Sequence, residues 1–269
     1  MRTIKLTIEY DGINYCGWQI QPAGRSIQGV LCKAVRKMTG EENHVVGASR
    51  TDAGVHALGQ VAHFRTSTMI PPVGFMRGIN SAIDCDIAVT AAEEAPSDFH
   101  AQKDAVSKLY RYLILNGDTP SALLADRCWH IRDKLDIDAM REAAECLVGK
   151  HDFKSFQAAG SSARDAVREI DRMGIRGIPP LCKGRLGGVD LPPLTPPYKG
   201  GEDYPLVSID IEGSGFVYHM VRNIVGTLVS IGKGKLQARD MEKILKAKER
   251  KKAGATAPAK GLYLVSVDY

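Results

Sequence analysis

Ten consecutive residues, Gly47-Ala48-Ser49-Arg50-Thr51-Asp52-Ala53-Gly54-Val55-His56, gather a guanidinium, a carboxylate and an imidazole between two apolar stretches. A guanidinium two residues from Asp52 would keep that carboxylate ionised, ready to act as a nucleophile or as a base. The same pair could simply tie down a turn, and for an isolated Arg-Thr-Asp tripeptide that reading wins easily; the wider segment changes the balance. Val45-Val46 before the segment and Val61-Ala62-His63-Phe64 after it are strand-forming, so the polar residues fall on a loop with a rigid support at each end.

Two further residues stand out by their company. Arg222 lies between Val221 and Ile224 in an otherwise apolar helical stretch, where a buried charge needs a partner. Tyr110 alternates with Tyr112 along Lys108-Leu109-Tyr110-Arg111-Tyr112, and both fit a strand core as they stand. His56 and His219 have no neighbour at metal-ligand spacing and read as structural hydrogen-bonding residues.

The elements that must position these groups follow from periodicity. Ile4, Leu6, Ile8 and Tyr10 alternate with polar residues as in a half-buried strand, and Asp11-Gly12 ends it. Ser26 caps a helix whose apolar positions are Ile27, Val30, Leu31, Ala34, Val35 and Met38, with Gly40 as the stop. Strands near 44–48 and 60–65, a short helix opened by Pro71-Pro72 and a strand through Ile87 and Val89 complete a βαββαβ order. A second run begins with a strand from Val106 to Leu115. It continues with a helix capped by Asp136, strands around 167–175 and 207–211, a helix from about Val217 to Ile231, an added helix around Met241 to Lys248, and a closing strand from Leu262.

The expected fold is therefore α+β, with two tandem βαββαβ units, residues 1–104 and 105–269, their antiparallel sheets side by side and a cleft between. Residues 178–205, rich in Pro and Gly, break the rhythm and read as an inserted, mobile loop where a hairpin should connect two strands. Gly213 to Tyr218 is faintly similar to an RNA-recognition signature, but it opens a helix, so the likeness is accidental.

The net charge of +5 is unevenly placed: residues 233–260 alone carry +7 and the rest −2. A local positive surface suits a polyanion, nucleic acid above all, and equally a solvated helix face. The six cysteines form no Cys-x-x-Cys pair and read as reduced thiols, with no metal site. An N-terminus that alternates at once excludes a secretory signal, no stretch reaches transmembrane length, and the expected compartment is the cytoplasm.

The segment Ser49-Arg50-Thr51-Asp52-Ala53-Gly54-Val55-His56 resembles the hallmark Gly-Arg-Thr-Asp-x-Gly-Val-His of the tRNA pseudouridine synthase A family, with Ser49 in place of the first glycine. A serine serves there unless the backbone needs a positive φ. The likeness extends to Tyr10-Asp11-Gly12 with Tyr15, Gly17 and Trp18, to the helix start at Ser26, to Lys108 through Tyr112, and to His151 through Phe156. It also takes in Phe216 through Gly226 and Gly261 through Val265, and only the 178–205 insertion falls clearly outside it. Several spaced motifs in order are far more specific than one.

The resemblance implies an isomerase that turns uridine into pseudouridine at positions 38, 39 and 40 of the tRNA anticodon stem-loop, without a metal or organic cofactor. It implies Asp52 as the catalytic residue and Tyr110 as the ring that stacks on the target uracil and assists at C5. Arg222 would hold Asp52 ionised, and Arg50 would contact the RNA. It further implies a homodimer with tRNA as partner; on the isomerase reading the basic stretch from Lys233 onward and Arg164, Arg168 and Arg172 are candidate phosphate contacts. Two other readings compete: a non-catalytic RNA-binding protein of the same units, which would not need Asp52, and an aspartate-nucleophile hydrolase. The hydrolase would call for an acidic metal cluster or a phosphate cradle, and neither is legible.

Overall fold

The computed structural model describes residues 1–161, 165–178 and 206–269. Arg164, Cys182 and all of the 178–205 insertion except Ile178 lie outside the described residues. The fold is mixed α/β, with ten strands and five α-helices among the described residues. The chain divides into two compact units, Met1–Tyr110 with Tyr263–Tyr269, and Arg111–Leu262.

The first unit runs β1 (Arg2–Tyr10), α1 (Ile27–Thr39), β2 (Val46–Gly47), β3 (His56–Thr66), α2 (Pro72–Ala82) and β4 (Ile87–Ala95), the order the periodicity predicts. Strand β1 is central, antiparallel to β3 on one side and β4 on the other. Its alternation puts Ile4, Leu6, Ile8 and Tyr10 inside, with Ile4 opposite Phe64 of β3, and Ile27 and Leu31 of α1 and Phe75 and Ile79 of α2 are buried in the same unit. The caps are those the sequence signals: Ser26 accepts from the Gly29 N–H, and Gly40 closes the helix at φ 71°. Strand β3 begins four residues before the expected 60; there His56 and Ala57 pair parallel with the terminal strand, Leu262–Asp268, and Ala57 also pairs with Tyr10.

The second unit takes up the chain within β5 (Ser107–Asn116) and adds β6 (Trp129–Ile131), α3 (Ile137–Glu145), β7 (Gly149–Asp152), β8 (Val167–Ile178), β9 (Leu206–Gly213), α4 (Met220–Gly232) and α5 (Asp240–Ala247), before the terminal strand β10 (Leu262–Asp268). Its strand order is β5-β9-β8-β7, with β6 parallel to β5. Strands β8 and β9 are antiparallel with Ile178 opposite Leu206, so the two strand ends on either side of residues 179–205 are neighbours.

Two short strands escape the sequence reading. β6 and β7 span three and four residues, too few for an alternation to register. Helix α4 starts at Met220 and not near 217, because His219 takes a left-handed conformation, φ 60°, at its N-cap. Gly213 to Tyr218 accordingly ends a strand and forms the turn before that helix.

Candidate active site

In the first unit, the loop between β2 and β3 holds Asp52, and the residues on either side of Arg50 are each tied to a tyrosine. The hydroxyl of Ser49 lies 2.7 Å from the phenol oxygen of Tyr110. That of Thr51 lies 2.7 Å from the phenol oxygen of Tyr10 on β1. Fully buried Gln60 on β3 accepts from the Ser49 N–H at 3.2 Å and donates to the Ser49 carbonyl at 2.8 Å. Its amide also reaches the Tyr10 hydroxyl at 3.4 Å.

The loop is anchored at its margins as well. The Ala48 N–H donates to Val61 O, and the Lys108 ammonium donates to Ala48 O at 2.9 Å. Burial pushes the Lys108 ammonium below the ordinary lysine range. The Trp18 N–H donates to Thr51 O, and the Val55 N–H to Asp52 O. Gly12 lies so close under the loop that a Cβ there would stand 1.9 Å from Val55 O.

With residues 49 and 51 held inward, Arg50 is exposed and Asp52 is half-buried. Tyr110 is only 6% exposed. Burial pushes its phenol up to about 12, the Asp52 charge pushes the same way, and the Ser49 hydrogen bond opposes both. At working pH the phenol is neutral, a hydrogen-bonding group and not a phenolate. Tyr10, in the same floor, is raised further still, again by burial first.

His56 is buried under the loop, with Nδ1 3.2 Å from the Gly12 N–H and 3.1 Å from Asp11 Oδ1, and its ring stacked on Tyr263. The first unit therefore brings together Asp52, Arg50, Tyr110 and His56. Gln60 and Ser49 were not singled out by sequence reasoning as site-forming groups. The local signal for Gln60 was a polar residue at an inward position of an apolar strand, and for Ser49 its departure from the glycine of the motif.

A model of the family described as tRNA pseudouridine synthase matches residues 6–102 and 143–269. The chain belongs to the tRNA pseudouridine synthase family. The tRNA pseudouridine synthase A of Acetivibrio thermocellus is 43% identical over 269 residues, covering all of both chains. That of Ruminiclostridium cellulolyticum is 44% identical over the same full span, and that of a Thermoanaerobacter species 42%.

For this synthase, the serine at the first position of the motif costs no backbone strain. Among the described residues only His219 and Lys248 are non-glycine residues at positive φ, so Ser49 does not occupy a conformation that demands glycine.

Arg222 belongs to the second unit, on α4. Its Nε donates to Ala257 O at 2.8 Å and its Nη1 lies 3.3 Å from His219 Nε2. The segment bearing Ala257 crosses α4 at Gly226, where a Cβ would stand 1.7 Å from Ala255 O. Tyr112 is fully buried and donates to Pro258 O at 2.7 Å, a packing role within that unit.

Five of the ten basic residues in 233–260 pair with acids, but three of those acids belong to the segment itself, so folding sets only Asp133 and Asp152 against its +7. Lys233 pairs with Asp133, Lys248 with Asp152, Lys243 with Asp240, Lys246 with Glu242 and Lys252 with Glu249. Arg250 is turned inward, to Asn223, Thr256 and the carbonyls of Ala253 and Gly254. Arg172 pairs with Glu212, and Arg168 with Asp165. Among the described residues no group of three or more His, Cys, Asp or Glu is arranged to hold a metal ion, and no helix is long and apolar enough to cross a membrane.

Proposed function

We propose that this synthase isomerises uridine to pseudouridine at positions 38, 39 and 40 of the tRNA anticodon stem-loop, with Asp52 carrying the reaction. The observation that supports it most is the double tether of Ser49 and Thr51, which leaves a half-buried carboxylate beside a buried, neutral phenol. In this isomerisation the bond from C1′ to N1 breaks, the uracil turns, and C1′ is joined to C5. The hydrogen on C5 leaves as a proton and N1 gains one, so atoms and electrons balance within the substrate and water.

Asp52 acts as nucleophile or as base in the first step. Tyr110 offers its ring face for stacking and a neutral phenol for the C5 proton. Arg50, exposed between two fixed residues, contacts the RNA. Arg222 is assigned to Asp52 on the family resemblance, as the guanidinium that keeps the carboxylate ionised. The order βαββαβ in the first unit supports the tandem arrangement as part of this reading. Extruding a base costs a few kcal/mol that wider RNA contacts must offset, which favours a homodimer sharing one tRNA.

The test is tritium release from tRNA labelled at uridine C5, comparing the intact protein with Asp52→Ala. Release by the intact protein alone, with tRNA binding retained by the variant, supports the reading. No release from any anticodon-arm uridine while tRNA remains bound would favour the non-catalytic binding protein.

A further inference from the structure

A neutral phenol can accept a proton only as its own proton leaves. Tyr110 is such a phenol, buried and held neutral. The group 2.7 Å from its oxygen is the hydroxyl of Ser49, the residue at which this chain departs from the glycine of the motif.

Ser49 is built to keep that contact. Its N–H and its carbonyl are both bonded to the side chain of Gln60, and the residue before it is held through Ala48 N to Val61 O and Ala48 O to the Lys108 ammonium. With the backbone fixed on both sides, only one torsion places the hydroxyl. Lys108 and Tyr110 sit two apart on β5, hence on one face, so one strand face meets two consecutive loop residues. Ser49 is itself half-buried, whereas the phenol it contacts is buried.

We propose that Ser49 is a positioning residue of the isomerisation, fixing the direction of the Tyr110 phenolic proton and giving it an outlet while C5 is deprotonated. The C5–H bond breaks, its electron pair becomes the C5–C6 double bond, and the C6–N1 pair it displaces moves to N1, which takes a proton from water. The C5 proton passes to the phenol oxygen, the phenol's own proton passes to Ser49 Oγ, and the serine proton passes to water. No charge is left on Tyr110. A hydrogen-bonded partner that moves with the transfer lowers the barrier to it without touching substrate.

The inference rests on the isomerase reading and on Tyr110 acting at C5. It is tested by Ser49→Ala, Ser49→Gly and Ser49→Thr, assayed with tRNA carrying hydrogen or deuterium at uridine C5. The expected result is a kcat lower by about tenfold or more in the first two variants, an unchanged KM for tRNA, a larger C5 deuterium isotope effect, and recovery in Ser49→Thr. Glycine is included because the loop accepts it in the family motif, so a folding failure of the alanine variant leaves the question answerable.

A kcat within twofold of the intact protein with the same isotope effect in Ser49→Ala or Ser49→Gly would overturn the proposal. So would a loss in KM alone. If the intact protein releases no C5 label, the isomerase reading fails first, and the two failures are thereby distinguished.

Discussion

The phenol of Tyr10 and the hydroxyl of Thr51 meet at 2.7 Å in the buried floor of the first unit, so the residue immediately before Asp52 is tied to the central strand. The aspartate's position thus depends on β1, which carries none of the chemistry.

Tyr10→Phe should remove that tie and leave the Thr51 hydroxyl without its phenol partner. An expected loss of about 1–2 kcal/mol in urea unfolding follows from an unsatisfied buried group. A fall in kcat beyond what the stability change explains should accompany it, because the loop would no longer hold Asp52 in one place. Unchanged kcat with lowered stability would mean that the tether serves folding alone.

Tyr110→Phe and Tyr112→Phe should part company. The first keeps the ring but deletes the phenol beside Ser49 and Asp52, so kcat should drop about a hundredfold while the melting temperature stays near the parent's. The second loses its bond to Pro258 O and should cost about 1 kcal/mol with turnover intact. Measuring kcat and thermal melting on both variants decides it.

Gly226→Ala would bring a methyl group 1.7 Å from Ala255 O, onto backbone that cannot step aside cheaply. A loss of about 3 kcal/mol or more is expected, visible as a much lower melting midpoint. Because Ala257 O accepts from Arg222 Nε, a milder displacement of that segment should also lower kcat in whatever protein remains folded.

Asp210 accepts both Nε and Nη2 of Arg111, at 2.7 and 2.8 Å, and lies 3.3 Å from Arg176 Nη2. Its carboxylate pushes the Arg111 guanidinium above the ordinary arginine range. Asp210→Asn would leave two guanidiniums without their shared anion on a largely buried strand, and about 2 kcal/mol of stability should be lost. Asp210→Leu together with Arg111→Met should recover part of it in the same unfolding assay.

His63 should make the protein acid-sensitive. Its Nδ1 accepts from the Ala101 N–H, and burial, then His100 and Arg65, pull its pKa from the ordinary 6.5 down to about 4. The folded value lies below the unfolded one, so the stabilising contribution is present above pH 6.5 and is lost as pH falls toward 4, where the unfolded chain takes the proton first. Urea midpoints at neutral pH and at about pH 4.5 should differ less in His63→Gln than in the parent. An equal acid sensitivity in both would assign it to other groups, such as Glu41, which its Ser67, Thr66 and Asn43 hydrogen bonds hold down at about 2.

Several elements were legible without coordinates because their causes are local. Ser26, Gly40, Asp136 and the Pro71-Pro72 pair announce helix ends through contacts made within one turn, and the alternation of Ile4, Leu6, Ile8 and Tyr10 states which strand face is buried. The loop carrying Arg50, Thr51 and Asp52 was equally visible, since a cluster of charges between two apolar strands is a sequence property. Strands β6 and β7 were not, being too short for an alternation to register.

What needed the tertiary structure was every contact whose partners lie far apart along the chain. Ser49 meets Tyr110 across 61 residues, and Thr51 meets Tyr10 across 41, each because sheet pairing closes a long stretch of chain onto the loop. The basic run from Lys233 carries +7 in the sequence, and only folding shows that Asp133 and Asp152 take up two of its lysines. Residue type and local spacing alone determined which groups could do chemistry here. Which hydroxyl holds the phenol, which amide holds the loop and which charges are already matched were decided by long-range pairing, because hydrogen bonds and ion pairs act over a few ångströms of space regardless of distance in sequence.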